Sequence, residues 1–321
     1  MPLTLLQIIN AAQNELGLPA STTVIGNTDL TTIQMLSLAN RVLDDMRRVH
    51  PTGWAAMMNE YNIVVTPPII TTGNIGSNSA VITNIAAGTA GLVPQYWAVS
   101  GNAVPQAARI KSVDSPTQVT MTMEATGAST GLSIVFAQDT YPFPTDWDFS
   151  QNRTHWDRTN RWELLGPDSP QMDQWHRSGI IATGPRRHFR RVGDLANQFR
   201  IWPAPAEIVS PLQLDFEYLS LNAVAVQGNV ANGTARFFAN DSDTPLIDDQ
   251  AIVMGLKWRF WQIKGFNYVD LKNDWVDYVN TLIGRDEGAP TLNMVQRTSP
   301  IFLSPANVQD GFFPGPVGPN L

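Results

Sequence analysis

The forty residues TPLIDDQAIVMGLKWRFWQIKGFNYVDLKNDWVDYVNTLI, Thr244 to Ile283, set the architecture to be expected of this chain. Ile247, Ile252, Val253, Leu256, Phe260, Trp261 and Ile263 recur at helical spacing, and Val269, Leu271, Trp275, Val276, Val279 and Leu282 do so again after Gly265. Two helices divided at Gly265 follow from that pattern. Asp248 and Asp249 stand where the first begins, at its positive dipole end rather than as a paired-carboxylate site, since helical neighbours point in different directions.

A matching pair opens the chain. Leu5, Ile8, Ile9, Ala12 and Leu16 mark one amphipathic helix stopped by Gly17 and Pro19. A second starts at an Asn27-Thr28-Asp29 cap and runs through Leu30, Ile33, Leu36, Leu38, Val42, Leu43 and Met46 to Arg47, Arg48 and Pro51. A helical hairpin is not stable alone, so the two terminal pairs are expected to close a helical bundle.

Between them the composition turns to β. From Asn62 to Gln138 only Arg109, Lys111, Asp114 and Glu124 are charged, and alternating runs such as Val119-Thr120-Met121-Thr122-Met123 are parted by Gly and Pro turns. A β-sandwich or barrel is expected there, and a further strand over Leu212 to Tyr218, where apolar and polar residues alternate. The expected fold class is therefore α+β: a helical bundle from N- and C-terminal helices, an inserted β-sandwich or barrel domain, and an extended C-terminal arm. Its expected parts are 1–61 (helical hairpin), 62–138 (β module), 139–243 (β-rich, Arg- and Trp-rich), 244–283 (helices completing the bundle) and 284–321 (arm). From Gly284 on, six prolines and five glycines rule out helix or central strand, while Ile301, Phe302, Leu303, Phe312 and Phe313 are spaced along it as anchors. A docking arm and a disordered terminus both fit that composition.

Over 321 residues, 43% hydrophobic and 15% charged, there is ample material for a core. The absence of cysteine excludes disulfides, thiolate metal sites and Cys nucleophiles. No apolar run approaches a bilayer span, and Met1 to Leu18 lacks the pattern of a signal peptide, so a soluble chain made in the cytoplasm with no membrane partner is expected.

Signatures of catalysis fail one by one, and no enzyme is expected. Gly127-Ala128-Ser129-Thr130-Gly131 fits the hydrolase elbow but sits in a β segment with no helix to follow. There is no Gly-Lys dipeptide for a phosphate loop and no His-Glu pair for a zinc protease helix. His155, His176 and His188 lie on separate segments at spacings unlike any ligand motif, so structural or surface roles are expected, with no metal and no cofactor.

The net charge of −7 argues against a nucleic-acid coat, yet nine of the 17 arginines lie between Arg153 and Arg200, with no lysine among them. Five of the ten tryptophans lie between Trp147 and Trp202. Interleaved Trp and Arg suit protein interfaces, and Arg153, Trp156, Arg158, Arg161, Trp162, Arg186, Arg187, Arg190 and Arg191 are expected at a subunit interface. Exposed Trp also stacks on sugars, which leaves a receptor- or carbohydrate-binding module of the adhesin kind as the other reading.

Several stretches carry a resemblance. They are Leu5 to Asn10 with Glu15-Leu16-Gly17-Leu18-Pro19, Gly26 to Asp29, Tyr141-Pro142-Phe143-Pro144, Trp156 to Trp162, Ser178 to Arg187, and Asp243 to Asp248 leading into Gly255-Leu256-Lys257-Trp258-Arg259. In them the chain resembles the head-to-tail connector, or adaptor, proteins of tailed bacteriophages, short-tailed ones in particular. The β insertion, through Ala90-Gly91-Leu92, Val99-Ser100-Gly101, Val104-Pro105 and Ser115 to Thr120, resembles a small module of phage virion and tail proteins that compact connectors lack. The resemblance implies a virion protein at the portal vertex: a homo-oligomeric ring, commonly dodecameric, that hands the DNA channel from portal protein to tail tube or nozzle. It implies only transient, non-specific passage of DNA, a C-terminal arm gripping the portal through Ile301, Phe302, Leu303, Phe312 and Phe313, and room for a tail fibre or spike on the β module.

Overall fold

The computed structural model of the chain describes residues 2–151, 153–178, 186–193, 198–206, 212–226 and 235–286. Five helices occur among them: α1 (Leu5–Glu15), α2 (Leu30–Val49), α3 (Pro170–His176), α4 (Asp249–Lys264) and α5 (Val269–Asp286). Strand is about as abundant as helix, and antiparallel sheets dominate the middle of the chain. The chain divides into two compact units, the division falling within the strands Met58–Val64 and Gln213–Ser220.

The first unit comprises Met1–Asn59, Asp146–Gln151 and Glu217–Gln296, described as far as Asp286. Its helices start and stop where local chemistry dictates. Thr4 closes a capping box with Gln7 ahead of α1, Asp29 accepts from the Thr32 amide ahead of α2, Asp248 accepts from the Ala251 amide ahead of α4, and Gly265 ends α4 at φ 78°. No helical bundle forms, and this part of the expected fold is corrected. A bundle needs each helix to present one apolar stripe to a shared axis. Instead α4 buries Ala251, Ile252, Val253, Gly255, Leu256, Trp258 and Phe260, which span roughly 220° of its circumference, wider than one stripe. It is a central helix on which α1, α2 and α5 each pack, while α1 and α2 touch little. The same core takes in Leu219, Val224 and Phe238 from outside the helices, making it a mixed α and β interior.

Close approach to α4 depends on Gly255. A Cβ there would fall within contact distance of Val42 Cγ1 and come 3.2 Å from Trp275 Nε1. Trp275 Nε1 donates to the Ala251 carbonyl at 2.9 Å, tying α5 to α4. The N-terminal segment is held to distant residues by its backbone: Leu3 N–H donates to Asp249 Oδ2 (2.7 Å), Leu5 N–H to the Asp243 carbonyl (2.8 Å), and Ile25 N–H to Asp241 Oδ1 (2.7 Å).

The second unit, among the described residues, comprises Glu60–Thr145 and Asn152–Phe216. Six antiparallel strands within it form a single sheet in the order Trp97–Gly101, Ser129–Gln138, Ile69–Ile75, Val81–Thr83, Gln118–Met121, Ile110–Ser115. Its two end strands meet at a bridge between Ala98 and Arg109. One sheet curling on itself, not two stacked sheets, encloses the core of Ile82, Ile110, Val119, Ile134 and Phe136. A three-stranded sheet follows from His188–Val192, Gln198–Trp202 and Thr140–Pro142, with Arg190 opposite Arg200 and Phe199 opposite Tyr141. Tyr141, Phe143, Phe199 and Phe216 pack ring on ring there.

Candidate functional site

The arginines of the 153–200 stretch divide by the company they keep. Arg158 folds back along its own hairpin: Trp156–Asp157 pairs with Trp162–Glu163 on one side and with Leu214 and Asp215 on the other, and Arg158 Nε donates to Asp215 Oδ2 at 2.8 Å. Arg187 lies 3.8 Å from Asp157, whose carboxylate also accepts from the Asn160 amide at 3.0 Å. Arg190 donates to the buried Asp173 at 2.9 Å, and Arg177 approaches the same carboxylate at 3.8 Å. These charges are neutralised inside the chain. Arg153, Arg161 and Arg191 are exposed, as is Arg158 despite its ion pair, and Arg153 and Arg161 stand on backbone with φ of 64° and 58°. Trp156, Trp162 and Arg186 are half-buried. Exposure among these tryptophans falls instead on Trp175, 54% accessible, which sequence reasoning did not single out. Ile301, Phe302, Leu303, Phe312 and Phe313 lie outside the described residues.

Deeper in the second unit is a charge network that no local signal betrays. Asp139 is fully buried and meets the Arg109 guanidinium, which also donates to Thr140 Oγ1 (2.8 Å) and to the Gln95 carbonyl. Burial pushes the Asp139 carboxyl upward and the Arg109 guanidinium downward, each opposed by the charge of the other. Arg200 beside them is lowered to about 10, by burial first and by repulsion from Arg109 second. Arg109 and Asp139 stand 30 positions apart in sequence, and either charge alone reads as surface.

The three histidines of this unit meet two fates. His155 is sandwiched between Phe189 (4.2 Å between ring centroids) and Phe216 (4.8 Å), and burial lowers it to about 4, so it is neutral at physiological pH. His176 and His188 come together, ring centroids 4.1 Å apart, around Asp168. The backbone arranges this. Leu165 N–H donates to the Arg187 carbonyl, Phe189 N–H to Leu165 and Asp168 N–H to Phe189, zipping the 165–168 loop onto the strand that His188 opens. Gly166, at φ 148°, permits it, since a Cβ would collide with the Phe189 carbonyl. Ser169 then caps α3 with Pro170 at its first turn, and the helix returns His176 to Asp168. Burial lowers His188, against the opposing pull of Asp168. The sequence reading weighed the histidines on separate segments and missed Asp168; its one signal was a place just before a Ser-Pro helix start, on the side from which a last-turn side chain leans back.

Chemistry at Ser129 finds no support in its setting: the residue opens the strand Ser129–Gln138, and Gly131 N–H is taken by Asn74 Oδ1 at 2.8 Å. No helix among the described residues is long and apolar enough to cross a membrane.

No curated protein matches the chain. A family model described as SU10 adaptor protein matches residues 108–291, which takes in the motifs at 141–144, 156–162, 178–187, 243–248 and 255–259, all of the Arg- and Trp-rich region, and both C-terminal helices. With more than half of its length so matched, the chain belongs to the SU10 adaptor protein family, and is a structural bacteriophage adaptor of the virion that associates with other head or tail proteins.

Proposed function

We propose that this adaptor assembles as a ring between the portal and the tail tube or nozzle, lines the DNA channel there, and acts in a short-tailed particle. The family match carries the reading. The charge pattern supports it: a net charge of −7 keeps a DNA-conducting wall from binding its cargo, and the exposed guanidinium groups of Arg153 and Arg161 suit carboxylates of the next copy. In this proposal twelve copies form the ring, Trp156, Arg158, Trp162, Arg186, Arg187 and Arg190 back the contact, and residues 284–321 grip the portal through their spaced apolar side chains. Residues 62–138 are the part that docks a fibre or spike.

Cryo-EM of the purified particle at its unique vertex, combined with in vitro assembly on purified portal, tests this. A ring directly below the portal is expected, with assembly lost on R153E/R161E while circular dichroism stays that of the wild type. Density for the chain at fibre tips alone would overturn the reading in favour of a receptor-binding appendage.

A further inference from the structure

We propose that Asp168, His176 and His188 form a divalent metal site, with zinc its fitting occupant, that fastens the 165–168 loop, the last turn of α3 and the strand starting at His188 to one another. Asp168 Oδ2 lies 3.3 Å from His188 Nδ1 and 3.7 Å from His176 Nε2, and the three donor atoms all lie within 4.8 Å of one another. Ligands bonded at 2.0–2.2 Å to a tetrahedral ion stand about 3.3–3.6 Å apart, so the 3.3 Å edge already has the span a bound ion requires and the 3.7 Å edge lies just beyond it. The donor set, two imidazoles and one carboxylate, is one that late first-row cations take.

The way these atoms fail to bond one another is the second observation. His188 Nδ1 is buried and satisfies no hydrogen bond despite its short distance to the carboxylate, and His176 Nε2 stands beyond hydrogen-bonding reach of it. Groups that pair with each other aim a donor at an acceptor, whereas metal ligands aim their lone pairs at a common third point. A plain ion-pair role is also poorly served, because one carboxylate stands against two imidazoles whose ring centroids are 4.1 Å apart, with the rings tilted by 36°. The ring planes are fixed from behind. Trp175 packs edge-on to His176 at 5.2 Å, Trp202 Nε1 donates to the His176 carbonyl at 3.2 Å, and the Asp168 backbone is held by Phe189. Three ligands leave a coordination position for water.

The test uses the untagged full chain, stripped with chelator and titrated with Co2+, then with Zn2+ in competition. One saturable equivalent of Co2+ with visible ligand-field absorption, displaced by Zn2+, is expected, together with a Zn2+-dependent rise in melting temperature. D168N, which keeps the side chain's shape, and H188A should each weaken Co2+ binding by at least about tenfold, the loss found even for second-shell partners of a metal, and abolish the melting shift. Equal affinity in wild type and both variants would overturn the proposal. Should the variants misfold, equilibrium dialysis of the wild type decides by itself, because less than about a fifth of an equivalent of bound Zn2+ defeats a site that needs one ion per chain. Ring assembly is scored separately, so failure here leaves the adaptor reading standing.

Discussion

His155 concentrates the physics of this interior in one ring. Stacked between Phe189 and Phe216 it is worth its place as an aromatic plate, and its charge is unwelcome. The unfolded histidine titrates near 6.5 and the folded one at about 4, so between those values the unfolded chain binds the extra proton. Stability is therefore full above pH 6.5 and is lost as pH falls towards 4, by about 3 kcal/mol from this residue. Urea midpoints measured from pH 4 to 7 should show that loss, and H155F, which keeps the plate and removes the proton site, should flatten it. Arginine tells a different story at the same scale. Arg158 and Arg190 pair with Asp215 and Asp173, which sit 57 and 17 positions away, and the sequence gives no sign of the pairing. What a sequence shows of a charge is its presence; whether it faces out depends on strands brought alongside it.

Among the elements, the helix ends were the most legible part of the fold, because capping is local: Asp29, Asp248 and Gly265 do what their types and positions announce. The role of α4 was not legible. Its apolar residues read as one face of a bundle member, whereas burial covers more than half of the helix, and the feature that makes it a hub is a glycine that periodicity ignores. Gly255→Ala tests that. Helix propensity favours alanine by about 1 kcal/mol, yet the methyl must displace Val42, and overpacking of this kind costs about 1–3 kcal/mol. A net loss of stability in chemical denaturation is expected; a gain would mean that α2 and α4 have slack between them. The six-stranded sheet was legible as β from its alternation and its few charges, but alternation does not say whether strands stack in two sheets or curl in one.

At the scale of the molecule, residues 62–138 are proposed as a separable module, and the Arg109–Asp139 pair states the condition for removing it. Deleting Asn62 to Gln138 takes Arg109 away and leaves Asp139 with its partner gone. Breaking a buried pair costs about 3–5 kcal/mol, against about neutral when both charges go. The deletion alone is expected to lower stability and soluble yield, and the same deletion carrying Asp139→Asn to recover both, form rings and lose the appendage. Loss of rings in the rescued variant, by electron microscopy, would show that the segment belongs to the assembly itself.

The hub position of α4 also fixes an order of events during synthesis. α2 ends at Val49 and α4 begins at Asp249, so the ribosome adds some 200 residues after the apolar faces of α1 and α2 emerge and before the helix that covers them exists. At about 5–20 residues per second that interval is roughly 10–40 s. The described segments of the second unit are complete by Phe216 and can fold within it. The N-terminal helices, first made, are among the last to be buried, and nascent chains halted before Asp249 should bind a hydrophobic dye or a chaperone that chains halted beyond Asp286 release.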